Sequence, residues 1–479
     1  LFIYLILNTG IHGDEYPSIF LVDWPVGFIT FPSADNPANL FHFTNYALFF
    51  WIFPVFKLLN LFLIDFFKII IHFVCFYFVY KFINLYLSKN RSILFAFIFI
   101  IFPTHDSINY SYTYIGYMLF TPSLLMFSFY LFIRNQIILG FFLNLLGSLT
   151  YSSPPFGIGL SFFFLIKKDF KKFILFVVPS VIYILTYLSI SYFWPDHDRR
   201  IDNDINFISF FKNAVILFLS FLDSNFGPSI FLKIYYSILE IKFINLIIAF
   251  ITIFFIYLSL KKEKISSLSN PLLASFIAII LLSICMFALT GMYYHSAFNL
   301  GNRVLIYSCL FITYLIFSIR NLKIFLPIIL VLIISIFGLS DHWKKWNKTQ
   351  IQIIENITNE KKILNLKKND ILIFKGYSYS KLGDFSHIDF ISFPLVLNSI
   401  LYNAFERRNN NITLMSYLDL NIDKKTIIDP KFKVKYYLNS NIYLYDLEKN
   451  LIEEININNV NEEIKKMKKE RRHWLQTLN

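Results

Sequence analysis

The chain has 479 residues, 56% of them hydrophobic and 16% charged, with a formal net charge of +13. Ordinary soluble domains hold roughly 45–50% apolar and about 25% charged residues, so a soluble globule is excluded. The 59 phenylalanines and 30 tyrosines, set against 14 glycines and 16 prolines, exclude collagen-like, linker-like and disordered chains.

The first apolar stretch, 1–7, is too short to cross a bilayer as a helix, which needs about 20 residues. The start of that span is expected to precede residue 1. A long outer loop, 8–45, follows, with Asn8-Thr9-Gly10-Ile11-His12-Gly13-Asp14-Glu15-Tyr16-Pro17 at its head and no Lys or Arg in it. Adjacent carboxylates bracketed by Gly and Pro can deprotonate a hydroxyl or hold a cation; the alternative is a solvated loop with ordinary acids. Over 55–68, Lys57, Asn60, Asp65 and Lys68 share one side of a helix, which reads as a helix lying in the membrane interface.

Apolar runs then fall near 69–87, 92–102, 117–133, 137–151, 156–166, 173–193, 241–260, 271–290, 303–319 and 324–340. The stretch 207–240 either adds two crossings or lies on the surface. The chain therefore reads as an α-helical polytopic membrane protein with about 11–13 transmembrane helices, as length and apolar runs require.

Lys89, Arg91, Arg134, Lys167, Lys168, Lys171, Lys172, Lys261, Lys262, Lys264, Arg320 and Lys323 fall on one side of these runs; Arg199, Arg200 and Arg303 fall on the other. Short cytoplasmic loops carry the excess of Lys and Arg, so the first side is cytoplasmic. Basic residues distributed in this way answer to a bilayer and give no sign of nucleic acid. Cys75, Cys285 and Cys309 lie singly in apolar runs, without zinc or disulfide spacing.

The outer loops hold three further polar clusters. His105-Asp106 offers metal ligands or a proton relay. Asp196-His197-Asp198-Arg199-Arg200 binds a phosphate or an acceptor through its Arg pair, or else closes on itself in salt bridges. His295 and Arg303 flank the start of a span, where a guanidinium meets a lipid phosphate or snorkels to the interface. Gly157-Ile158-Gly159 lacks the strand and the lysine of a phosphate loop, so no nucleotide cofactor is expected.

From about 341 the composition turns to Lys, Asn, Glu and Asp. Strands are expected over 371–374, 412–415 and 436–445, and helices over 343–368 and 389–404, giving a small α/β domain on the outer face. Residues 1–340 form the membrane module and 341–479 the outer, extracytoplasmic domain.

A first span, an acidic outer loop with Gly13-Asp14-Glu15-Tyr16, a surface helix, many short spans and an outer C-terminal domain together resemble the GT-C superfamily of membrane glycosyltransferases, of the protein O-mannosyltransferase and aminoarabinose transferase type. The resemblance implies transfer of a sugar from a polyprenyl-phosphate donor to a glycan, lipid or protein acceptor at the outer face of the membrane. It assigns Asp14 to activate the acceptor, with Glu15 assisting. His105 and Asp106 stand where metal-dependent members carry a second acidic motif, for a divalent Mg or Mn. Arg303 with His295 is the choice for the donor phosphate on physical grounds. A surface-polysaccharide polymerase or ligase using Arg199 and Arg200, and a non-catalytic scaffold or transporter in a membrane complex, are the alternative classes.

Overall fold

The computed structural model describes residues 1–13, 15–20, 62–193, 206–261, 263, 269–290, 295–366, 370–391, 394–405, 413–416, 421–423, 426–429, 434–437, 441–456, 459, 471 and 473–477. The chain divides into two compact units, Leu1–Gly10 with Trp24–Trp343, and Ile11–Asp23 with Lys344–Asn479. The outer loop's first residues, 8–10, therefore belong to the first unit, and the stretch from Ile11 to the second.

The first unit is helical. Nine helices among the described residues are long and apolar enough to cross a membrane, from Leu63–Ile83 to Leu322–Asn359, and Ile137–Ser148 and Pro154–Ile166 are shorter apolar helices. The chain is a multi-pass membrane protein. A helix satisfies its own backbone groups, as a segment in hydrocarbon must. Large apolar side chains such as Ile138, Phe142, Leu185, Phe250 and Phe255 stay exposed along these helices, where a lipid chain replaces water as their solvent.

Two features of this unit differ from the sequence expectation, and a third stretch, 207–240, was left open by it. Residues 62–68, expected as the end of a surface helix over 55–68, are the first turns of the long helix Phe62–Ile83; 55–61 lie outside the described residues. Asp65 and Lys68 are buried there because each neutralises the other at 3.2 Å. The Asp65 carboxylate also accepts from the backbone N–H of Gly10 at 3.1 Å, and the Lys68 ammonium donates to the Gly10 carbonyl, so the pair holds the turn after Phe2–Ile6.

Residues 103–120, expected as a loop up to 116, form successive short helical turns, Pro103–His105, Asp106–Tyr110, Tyr112–Tyr114 and Ile115–Phe120, that run into Thr121–Ile133. They are buried almost throughout, with hydroxyl, amide and phenol groups among their side chains. The stretch 207–240 is two helices, Phe207–Phe226 and Pro228–Glu240, broken at Gly227. Asp223 stabilises the break by accepting from the hydroxyl of Ser229, and Pro228 takes the first helical position, where a missing N–H is harmless.

The helix Leu322–Asn359 runs for 38 residues, so the separate helix expected over 343–368 is largely its continuation, followed by the short Lys361–Leu364. Within the first unit, four consecutive residues of this helix tie down four other segments. Ser340 donates to the Leu5 carbonyl at 2.6 Å, Asp341 accepts from Asn245 at 2.6 Å and from the Lys242 N–H at 3.0 Å, His342 lies 3.9 Å from Glu240, and the Trp343 indole donates to Asp106 at 2.7 Å.

In the second unit, strands β1 (Ile371–Lys375), β4 (Thr413–Ser416), β8 (Ile442–Asp446) and β9 (Leu451–Ile455) form a sheet of order β4-β1-β8-β9. β1 is parallel to both neighbours and β8 is antiparallel to β9. β1 is buried along nearly its whole length, as a strand with neighbours on both sides and an Ile-Leu-Ile-Phe run requires. The hairpin β2 (Tyr379–Leu382) with β3 (Phe385–Asp389), and the helix Pro394–Phe405, lie between β1 and β4 in the chain. The single strand expected over 436–445 is two strands of different sheets: β7 (Val434–Tyr437) pairs with β6 (Thr426–Asp429), itself paired with β5 (Asn421–Asp423), while β8 joins the larger sheet.

Candidate functional site

Asp106 opens the helical turn Asp106–Tyr110 and is buried. A bare carboxylate in that position would be very costly, and three donors from distant segments meet it. The Lys233 ammonium lies 2.6 Å from Oδ1, the Asn302 amide donates to the same oxygen at 2.7 Å, and the Trp343 indole N–H donates to Oδ2 at 2.7 Å. Lys233 also donates to the Thr104 carbonyl at 3.2 Å. Four segments of the first unit are thus joined at one carboxylate.

This occupancy decides what the pair His105-Asp106 can do. Its acid is engaged by a cation and two neutral donors, and His105 is buried with Nε2 against the Ile100 carbonyl at 3.2 Å. Among the described residues no group of three or more His, Cys, Asp or Glu comes together to hold a metal. In this structure the cation at the Asp106 carboxylate is the Lys233 ammonium.

Next to Asn302, Arg303 lies in the 3-10 turn Leu300–Leu305 and is 8% exposed. Its guanidinium sits 4.9 Å from the centre of the Tyr114 ring. A desolvated cation over an aromatic face is worth about 2 kcal/mol or more, which offsets part of the burial. Tyr114 packs edge-on against Tyr117 at 5.7 Å, and Tyr117 against Tyr151 at 5.4 Å.

Tyr151 lines a cavity of about 270 Å³ whose other walls include Tyr183, Tyr187, Ile158, Leu282 and Met286. The walls come from the helices Pro154–Ile166, Phe170–Phe193 and Asn270–Thr290 and are almost wholly apolar. Nearby, Tyr307 donates to the Ser152 carbonyl at 2.7 Å, and its ring lies tilted against Phe156, with centres 5.1 Å apart. An arginine thus sits at one end of a row of tyrosines and an apolar cavity at the other.

His295 packs between Phe221 and Phe287, with ring centres 6.2 and 6.4 Å away, and Phe287 also lines the cavity. Burial pushes its pKa down to about 4, so the imidazole is neutral at neutral pH. At neutral pH it can offer an anion a hydrogen bond but no charge.

In the second unit, Glu15 is buried at the start of the helix Glu15–Phe20. Its Oε2 accepts from the His12 N–H at 2.8 Å while its own N–H donates to the His12 carbonyl at 3.0 Å, a reciprocal cap of the helix start. His12 meets Gln350 at 2.8 Å, and Gly13, at φ +47°, lies against Asp389, where its left-handed backbone suits glycine. Removing the cap with Glu15→Ala should cost about 1 kcal/mol. Urea unfolding of the second unit, followed by Trp346 fluorescence, checks this.

Among the residues singled out in the sequence, Asp14, Arg199 and Arg200 lie outside the described residues. Arg303 and Asp106 are brought to one neighbourhood through Asn302, to which the sequence reading assigned no role. Lys233 and Trp343 were missed as well. A lone lysine within the apolar run 230–239 was the available signal, because an ionisable group in such a run marks a partner. Compared with known proteins, the chain matches no family model, no curated protein and no solved structure.

Proposed function

We propose that the chain transfers a sugar from a polyprenyl-phosphate donor to an acceptor at the outer face of the membrane, in the manner of the GT-C glycosyltransferases it resembles. The observation that carries this reading is the row from Arg303 through Tyr114, Tyr117 and Tyr151 to the apolar cavity. A polyprenyl phosphate couples an isoprenoid chain to an anion, and this row couples an apolar space to a guanidinium. Guanidinium matches phosphate with two parallel hydrogen bonds, and in a site of low dielectric it stabilises the leaving phosphate.

Glu15 spends its carboxylate on its own helix start, and its neighbour Asp14 is the residue to which the resemblance assigns the role of base. The distribution of Lys and Arg along the spans supports an extracytoplasmic second unit. A glycan, lipid or protein supplies the acceptor hydroxyl.

The test is incubation of the purified chain in lipid nanodiscs with a panel of polyprenyl-phosphate sugars, reading release of polyprenyl phosphate. Consumption of one donor, lost in Asp14→Asn and with donor affinity weakened roughly tenfold to a hundredfold in Arg303→Ala, is the expected result. Turnover by Asp14→Asn at the wild-type rate would remove the base assignment. No consumption of any donor, with crude acceptor and divalent metal present, would sink the transferase reading in favour of a transporter or scaffold.

A further inference from the structure

We infer that Asp106 and Asn302 are positioning residues for Arg303. The inference rests on the assignment of Arg303 to the donor phosphate. Asn302 and Arg303 are consecutive in the 3-10 turn Leu300–Leu305, so their side chains leave it in directions about 120° apart. Asn302 reaches Asp106 at 2.7 Å and Arg303 reaches the ring of Tyr114 at 4.9 Å. Asp106 and Tyr114 belong to the same run of buried helical turns, eight residues apart. The two contacts therefore join the same two segments, and the first fixes the separation on which the second depends.

The carboxylate is itself immobilised from outside these segments. Lys233 of Pro228–Glu240 and Trp343 of Leu322–Asn359 hold its two oxygens, so it does not follow the turn if the turn moves. The turn begins under strain: Asn299 has φ 59° and ψ −173°, a region that non-glycine residues occupy only where their surroundings impose it. Without the Asn302 bond, relaxation at Asn299 swings Arg303 off Tyr114. A flexible arginine beside an anion loses part of its binding to reordering, whereas one already held in place does not.

The full chain in nanodiscs tests this in two ways. In the first, phenylglyoxal modification of Arg303 is followed by peptide mass spectrometry. Asn302→Ala should accelerate it roughly tenfold, and Trp343→Phe, which keeps an aromatic side chain but removes one donor to Asp106, should accelerate it less. Ser308→Ala removes a buried hydrogen bond to Asn225 from the helix that follows the turn, without touching Asp106, and should leave the rate unchanged. An unaltered rate in both Asn302→Ala and Trp343→Phe, or an equal rise in Ser308→Ala, overturns the proposal.

In the second, undecaprenyl phosphate binding is measured for Arg303→Ala, Asn302→Ala and the double variant. Residues acting through one another are not additive, so the double variant should bind no more weakly than Arg303→Ala alone. Additive losses overturn the positioning role. Binding unchanged by Arg303→Ala removes the donor-phosphate reading, and the modification rates still decide whether Asn302 positions the arginine.

Discussion

Replacing Lys233 by Met should destabilise the first unit by about 3–5 kcal/mol, because it strands a buried carboxylate without its cation. Both partners are almost completely inaccessible, with side-chain exposures of 0% for Lys233 and 2% for Asp106, so water cannot take over the charge. Asn302 and Trp343 still donate to the carboxylate, but two neutral donors do not supply the lost Coulomb attraction. Pairing the change with Asp106→Asn removes the charge but keeps an acceptor for only one of the two donors, which sit on different oxygens. The double variant should therefore regain part of the loss. Denaturant titration in mild detergent, followed by Trp fluorescence, measures both variants. A Lys233→Met protein within about 0.5 kcal/mol of the wild type, the range of ordinary surface changes, would show that the pair is solvated.

Gly338→Ala carries the second large effect. Gly338 faces the helix Pro228–Glu240 so closely that an added Cβ would stand 1.8 Å from the Ser237 carbonyl oxygen and 2.6 Å from its carbon. The obstacle is backbone, which has no rotamer to change. Small residues at a helix contact let backbones approach, and here Ser237 and Ser335 add a hydrogen bond between hydroxyls 2.6 Å apart. Separating the helices would pull on Lys233 and Trp343, which lie on the same two helices. The cost expected is about 3 kcal/mol, at the upper end for overpacking. Gly140→Ala is the comparison: its Cβ meets the rim of the Phe132 ring at 2.7 Å, a side chain that can turn aside. Thermal unfolding should rank Gly338→Ala well below Gly140→Ala, and equal midpoints would show that the helix contact is looser than described.

The two experiments separate what each kind of residue contributes. Gly338 sets how closely two helices lie, a property of shape. Lys233 and Asp106 set which faces of those helices meet, because a buried charge tolerates only the arrangement that pairs it.

How much of this was legible beforehand follows from the range of each interaction. Apolar runs long enough to span a membrane are properties of single segments, so the sequence by itself determined that the chain is helical and multi-pass, and placed most of the helices. The same holds for β1 and β4, whose apolar runs gave their positions within a residue, and for the composition change near 341. It was also enough to single out Asp106 and Arg303, since polar residues at the ends of apolar runs need partners.

Only the tertiary structure decided what those partners are. Asp106 meets Lys233, Asn302 and Trp343 at sequence separations of 127, 196 and 237 residues, and no periodicity within a segment carries information over such distances. The structure likewise turned the expected outer loop at 103–116 into buried helical turns, packed against segments that its own residue pattern does not reveal. It divided 436–445 between two sheets, because strand pairing depends on which edge is free and not on the strand's own residues. Local pattern specifies which segments are buried and how they coil; the identity of what they are buried against is set by packing across the whole chain.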